Sequence, residues 1–279
     1  MRALLHRRTR AQVLLHAVLA ALTVLWAYPV LWTLLSSLKT SGELYFAPWA
    51  LPIPPHPGNL VEAWRVGQLG RAYLNSALVT AASVLLILLI SAPAAYAFAR
   101  LRLPMRSVLY LAILLPLMVP SEVTLVPLFI LLRTLGLLNR LEGLITLNVA
   151  GGVAFTTVIL TTFFQAIPRE LEDAAKIDGA GRLQNLRWIV LPLAAPGLMA
   201  VTVFQTVFIW NEFFQALIVI QRPELFTVQL AMGNFSTFYA TNQVLLFAGL
   251  AIAIVPPLVV FVLLQRSFIH GLTVGAVRG

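Results

Sequence analysis

Six stretches of this chain stay apolar for twenty residues or more, over residues 13–35, 73–98, 108–132, 144–167, 191–220 and 244–264. A helix needs about 20 mostly apolar residues to cross a hydrocarbon core of about 30 Å. Buried helices of a soluble protein are rarely so long without charge. Only 10% of the 279 residues are charged, where soluble domains carry about a quarter. The pattern predicts an all-α polytopic membrane protein, a single domain 1–279 with six transmembrane helices. The first block follows Arg2, Arg7, Arg8 and Arg10. It exceeds the roughly 7–15 apolar residues of a signal peptide and reads as a retained helix.

Orientation follows from lysine and arginine, which favour the cytoplasmic side. With the N-terminus inside, segments 1–12, 99–107, 168–190 and 265–279 carry 13 of the 19 basic residues. Both termini are therefore expected in the cytoplasm. The formal charge of +9 restates this bias and calls for no nucleic acid. With no cysteine, disulfides and thiolate ligands are excluded.

The usual signatures of an enzyme or motor are missing. Neither Lys39 nor Lys176 follows a glycine, so no phosphate-binding loop of the Gly-Lys-Ser/Thr type exists. His6, His16, His56 and His270 are scattered, without metal-ligand spacing. No catalytic residue, metal site or cofactor site is expected. Within the spans the acids are Glu122 and Glu212, a thin basis for an ion relay. Prolines are frequent there (Pro29, Pro93, Pro116, Pro120, Pro127, Pro196, Pro256, Pro257). Each removes a helical hydrogen bond, as suits helices lining a pathway.

Three segments carry candidate chemistry. Loop 36–72 has five prolines in FAPWALPIPPHPGN and should be extended and irregular. Its Tyr45, Phe46, Trp49 and Trp64 suit either a membrane interface or docking of an extracytoplasmic protein. In the fifth span Phe204, Gln205, Phe208, Asn211, Glu212 and Gln215 recur at spacings of three and four, on one helical face. Such a mixture suits sugar hydroxyls and ring faces, or equally hydrogen bonds between helices. Segment 168–190 is polar, with four acids and four bases. Pro168 is placed to open a helix, Glu170, Glu172 and Asp173 suit its first turns, and Gly179 suits its end. That helix would present Leu171, Ala174, Ala175 and Asp178 on one face. Its small apolar face and balanced charge favour docking to a protein over lying on anionic lipid.

The polar segment resembles the EAA loop of permease subunits in bacterial ABC importers. Asp173-Ala174-Ala175, Gly179 and Ile189-Val190-Leu191-Pro192 stand at the spacing of that motif, with Asp173 in place of its glutamate. AYAFARLRLP (95–104), GLLNR (136–140), IPRELEDAAKIDGA (167–180), WNEF (210–213) and the tail GLTVGAVRG (271–279) are similar to the carbohydrate-uptake branch, and to its second, six-span maltose-type permease. The resemblance implies a binding-protein-dependent transport permease (MetI-like) fold in the bacterial inner membrane. It implies a heterodimer with a second permease, two ATPase subunits that hold ATP and Mg, and an extracytoplasmic sugar-binding protein. Glu172, Asp173, Ala174, Ala175, Asp178, Gly179, Ile189, Leu191 and Pro192 would couple to the ATPase. Gln205, Phe208, Asn211, Glu212 and Gln215 would line the substrate pathway, and Arg278 and Gly279 would touch the ATPase. An importer for a polyol or glycerol-phosphate compound and a stand-alone secondary carrier are the alternatives.

Overall fold

In the computed structural model, which describes residues 2–238 and 242–276, the apolar blocks are helices, two of them broken. In chain order the helices are α1 (Arg2–Ser36), α2 (Ser41–Phe46), α3 (Gly58–Val66), α4 (Leu69–Arg100), α5 (Arg106–Met118), α6 (Ser121–Thr134) and α7 (Leu141–Ala166). The polar segment forms α8 (Arg169–Ile177) and α9 (Arg182–Asn185), then a π-helical turn over Leu186–Val190. There follow α10 (Leu191–Leu193), α11 (Ala195–Trp210), α12 (Phe214–Val219), a 3-10 turn at Pro223–Leu225, α13 (Val228–Phe238) and α14 (Gln243–Ala276). Among the described residues, four stretches are long and apolar enough to cross a membrane: Gln12–Ser36, Leu69–Arg100, Leu141–Ala166 and Gln243–Leu263. Counting each of two bent pairs as one span brings the total to six.

The two sharp bends fall where proline chemistry puts them. The expected third span bends by 104° between α5 and α6. Val119 is extended there (ψ 121), as a residue before a proline must be. The expected fifth span is not one helix. A bend of 77° separates Arg182–Leu193 from α11, and α11 stops at Trp210, with three residues between it and α12. Pro192 has no N–H to donate to the turn behind it, and the chain ahead of it widens into the π turn. Such turns are rare and recur at functional places.

Two compact units divide the chain, Met1–Gln68 with Met232–Ile254, and Leu69–Ala231 with Val255–Gly279. In the first, the proline-rich loop is ordered around Lys39, which is 1% exposed. Its Nζ donates to the carbonyls of Pro48 (2.6 Å) and Ala47 (3.3 Å), and Trp32 Nε1 donates to Pro48 O as well. Asn59 Nδ2 donates to the carbonyls of Ser37 and Lys39, each at 2.9 Å. Thr40 and Glu43 form a capping box that starts α2, and Trp32 meets Phe247 edge to face at 5.0 Å.

The second unit is built on α4 packed along α7. Val79, Ser83, Ile87, Ser91, Ala95 and Ala99 recur every fourth residue on α4, and all are buried. Helices in lipid gain little from apolar burial and associate through small residues and interhelical hydrogen bonds. Ser91 Oγ accordingly donates to Val153 O at 3.2 Å. One cluster gathers Ile87, Leu132, Leu144, Ile209, Ile220 and Leu230. A second gathers Ala95, Tyr96, Leu160, Phe164, Leu186 and Val190 beneath the polar segment.

Gly197 opens the contact between α11 and α7. A Cβ there would lie 2.5–2.8 Å from ring carbons of Phe163. Gly197→Val is expected to cost about 1–3 kcal/mol, the usual penalty of overpacking, read as a lower Tm of the protein purified in detergent.

Candidate functional site

Helix α8 begins at Arg169, one residue later than Pro168 suggests, because Pro168 is extended (ψ 131). Glu170 and Glu172 occupy the first turn and Lys176 the last, the arrangement the helix dipole favours. The end is a Schellman turn: the N–H of Ala180 donates to Ala175 O (2.9 Å) and that of Gly179 to Lys176 O (3.0 Å). This requires a left-handed residue, and Gly179 has φ +86.

The helix turns inward the side that periodicity did not select. Glu172 is 3% exposed. Its Oε1 pairs with Arg100 Nε at 2.5 Å, and its Oε2 accepts from Tyr96 OH at 3.1 Å. The Arg100 Nη2 also donates to Ile167 O (2.7 Å), a carbonyl at the end of α7 that no helical partner serves. Asn185, itself buried, points its amide at Glu172 O (3.5 Å). The carboxylate thus joins α8 to α4, while Arg100 also holds Ile167 just past α7 and Asn185 of α9 holds the Glu172 backbone. Glu172, one of the residues expected to couple to an ATPase, is buried and anchors α8 from the inside.

The other motif residues lie around it. Ala174, Asp173 and Asp178 are exposed and Ala175 is half-buried. Leu171 shares the open side, and Ile177 (88% exposed) and Leu183 (74%) extend it. Asp173 is paired with Lys176 at 2.7 Å. The hydrogen bond from Lys176, then its charge, hold the Asp173 carboxyl below the usual carboxylate range. It therefore stays ionised at neutral pH, and the pairing is lost only as pH falls through that lowered value. Ile189 and Leu191 are half-buried and Pro192 is exposed, at the corner into α11.

The expected polar face of the fifth span is split by the break after Trp210. Gln205 is buried and donates to Gly152 O (3.2 Å) and Thr156 Oγ1 (2.9 Å) on α7, a bond between helices. Glu212 accepts from the backbone N–H groups of Gln215 (2.6 Å) and Ala216 (3.0 Å), capping α12. Asn211 Oδ1 accepts from Gln229 Nε2 at 3.1 Å. Phe208, Asn211, Glu212 and Gln215 do come together, lining a cavity of about 360 Å³ with Leu125 and Phe214. Phe155, Phe204 and Phe208 stack in series (4.6 and 6.4 Å). Arg278 and Gly279 lie outside the described residues, as does the Glu122 side chain.

Sequence reasoning passed over Tyr96, Arg100 and Asn185 as site residues. No local signal marked Arg100, since the basic bias of segment 99–107 already accounts for it.

The family model of the binding-protein-dependent transport system inner membrane component matches residues 86–274. The diacetylchitobiose uptake system permease protein NgcG of Streptomyces coelicolor is 35% identical over 94% of this chain and 88% of its own length. The melibiose/raffinose/stachyose import permease protein MelC of Bacillus subtilis is 32% identical over the whole of both chains. Among solved structures, a chain of a bacterial ABC transporter involved in the import of the acidic polysaccharide alginate superposes with a TM-score of 0.79. It is 23% identical, with 92% of this chain and 95% of that chain covered; this likeness speaks for the fold.

Glu172→Ala should strand a buried guanidinium and cost about 3–5 kcal/mol, as removing one partner of a buried pair does. The Tm in detergent then falls sharply, while Asp173→Ala leaves it unchanged. At Gly179, where a Cβ would meet nothing within 4 Å, only backbone strain operates. Asn is expected to be tolerated and Val to lower the Tm, because β-branched residues resist a positive φ.

Proposed function

Because the chain belongs to the family of binding-protein-dependent transport system inner membrane components, we propose that it is the membrane-spanning permease of an ATP-driven sugar importer. The substrate is a sugar or oligosaccharide handed over by an extracytoplasmic binding protein. The relatives named for diacetylchitobiose and for melibiose, raffinose and stachyose support that class over a polyol or glycerol-phosphate. A second permease completes the channel. Two ATPase subunits hold ATP and Mg and do the hydrolysis, since this chain has no phosphate loop.

The single observation that carries the reading is α8, rigidly held on one side by Glu172 and open on the other. Its open side joins Leu171, Ala174, Ile177 and Leu183, apolar groups at the edge of a charged segment. Small and apolar residues let a partner surface close on the helix backbone, and Asp173 and Asp178 flank the contact with charge. We assign this side to a cleft of the ATPase, with Ala175 and Gly179 setting the helix's shape. Ile189, Leu191 and Pro192 form the corner that carries α8 into α11. The segment then lies in the cytoplasm together with both termini, in agreement with the basic bias. For the pathway we assign Phe208, Asn211, Glu212 and Gln215, with Phe204 and Phe155 stacked behind Phe208. Gln205 is left to packing.

Affinity purification of the tagged chain from its native membranes should bring down a protein with a Walker motif. The reconstituted complex should take up sugar only with ATP inside and binding protein outside. Uptake by this chain alone under an ion gradient would instead make it a secondary carrier. Ile177→Asp should weaken ATPase recovery at least tenfold without changing the Tm of the permease; equal recovery would remove α8 from the interface.

A further inference from the structure

Helix α4 offers polar side chains at both ends to backbone or charged groups of neighbouring segments. At one end stand Tyr96 and Arg100, locked to Glu172 and Ile167 O. At the other, Asn75 Nδ2 donates to the carbonyls of Glu224 and Phe226, each at 3.0 Å. Ser76 Oγ, one residue on, accepts from the N–H of Val228 at 2.9 Å. The two carbonyls belong to the connection between α12 and α13, which has only a single 3-10 turn of its own, and the N–H of Val228 opens α13. From Asn75 to Arg100 the helix rises about 37 Å at about 1.5 Å per residue, more than the thickness of a hydrocarbon core. Between its ends the buried row from Val79 to Ala99 seats α4 against α7.

We propose that α4 is a transmission rod linking α8 to the segment Arg222–Val228 on the far side of the membrane. Displacement of α8 enters the helix through Glu172, Arg100 and Tyr96. It leaves through Asn75 and Ser76. The lock is suited to the task because it is buried: its side chains are 7% and 4% exposed, and separating them would leave two charges without water or partner. Pro93 leaves α4 continuous from Leu69 to Arg100, so a push at one end can be carried to the other. At the far end two hydrogen bonds from one amide, and a third from the adjacent hydroxyl, hold a segment that lacks a regular structure to resist them. Asn75, Ser76, Tyr96 and Arg100 are thus positioning residues. The proposal rests on the importer reading only for what pushes α8.

The test uses the whole complex in lipid nanodiscs, with permease pair, ATPases and binding protein, and follows backbone hydrogen exchange. ATP should alter exchange in residues 169–185 and in residues 222–228 of the wild type. In Arg100→Gln and in Asn75→Leu the response of 222–228 is lost, while in Asn75→Leu that of 169–185 persists. The exchanged pair Arg100→Glu with Glu172→Arg should restore the far response at least in part. Tyr96→Phe keeps the ring and is least disturbing to the fold; it should reduce that response about fivefold, what one net hydrogen bond is worth. In uptake assays Asn75→Leu lowers the maximal rate at an unchanged half-saturating concentration of binding protein. A normal response of 222–228 in both Arg100→Gln and Asn75→Leu overturns the rod. A wild-type complex in which ATP changes nothing at 169–185 overturns the importer reading, and the rod's driving stroke with it.

Discussion

The ion pair of Arg100 and Glu172 is the constraint on which the functional half of the molecule depends. Neither charge is tolerable there alone, since removing an ion from water costs several kcal/mol in a real protein. Each therefore dictates where the other's helix must lie. Arg100 closes α4, and its second edge takes the carbonyl of Ile167, just past α7. Glu172 belongs to the first turn of α8. Once these meet, the rotation of α8 about its axis is set, and with it the residues left facing outward. The exposed row of Leu171, Ala174 and Ile177 follows from an interaction on the opposite side of the helix.

Below that lock, proline and small residues shape the bundle. Pro120 and Pro192 sit at the two sharp bends, where backbone groups must find partners within the protein or a cavity because lipid offers none. At the break after Trp210, Glu212 supplies that need by capping α12. The same residue faces the cavity assigned to the substrate. Its carboxylate is thus both a structural cap and a polar wall, and the two roles share one geometry.

Much of the fold was legible in the chain. The six blocks are helical, two of them broken, and the short helix of the polar segment ends at Gly179 for the reason its sequence suggests. The candidate site was legible in part. Periodicity placed Gln205, Asn211 and Glu212 on one face of a helix that stops at Trp210. No residue near Trp210 is a strong helix breaker; the stop is met by one longer-range bond, Asn211 with Gln229, and by a local cap, Glu212 on the start of α12. Similarly, Glu172 read as one more acid at a helix start, since nothing local distinguishes it from Glu170.

What the sequence determined by itself was therefore one-dimensional: the length and number of apolar blocks, the place of each proline, the caps of α8, and which residues share a face. These follow from rules acting over three to five residues. Which face turns inward, and where a span is interrupted, was decided only in the tertiary structure. Arg100 and Glu172 lie 72 positions apart, and Asn75 reaches carbonyls some 150 positions away. A buried charge or an unserved carbonyl must be matched in space, and helical periodicity carries no information about a partner on another helix.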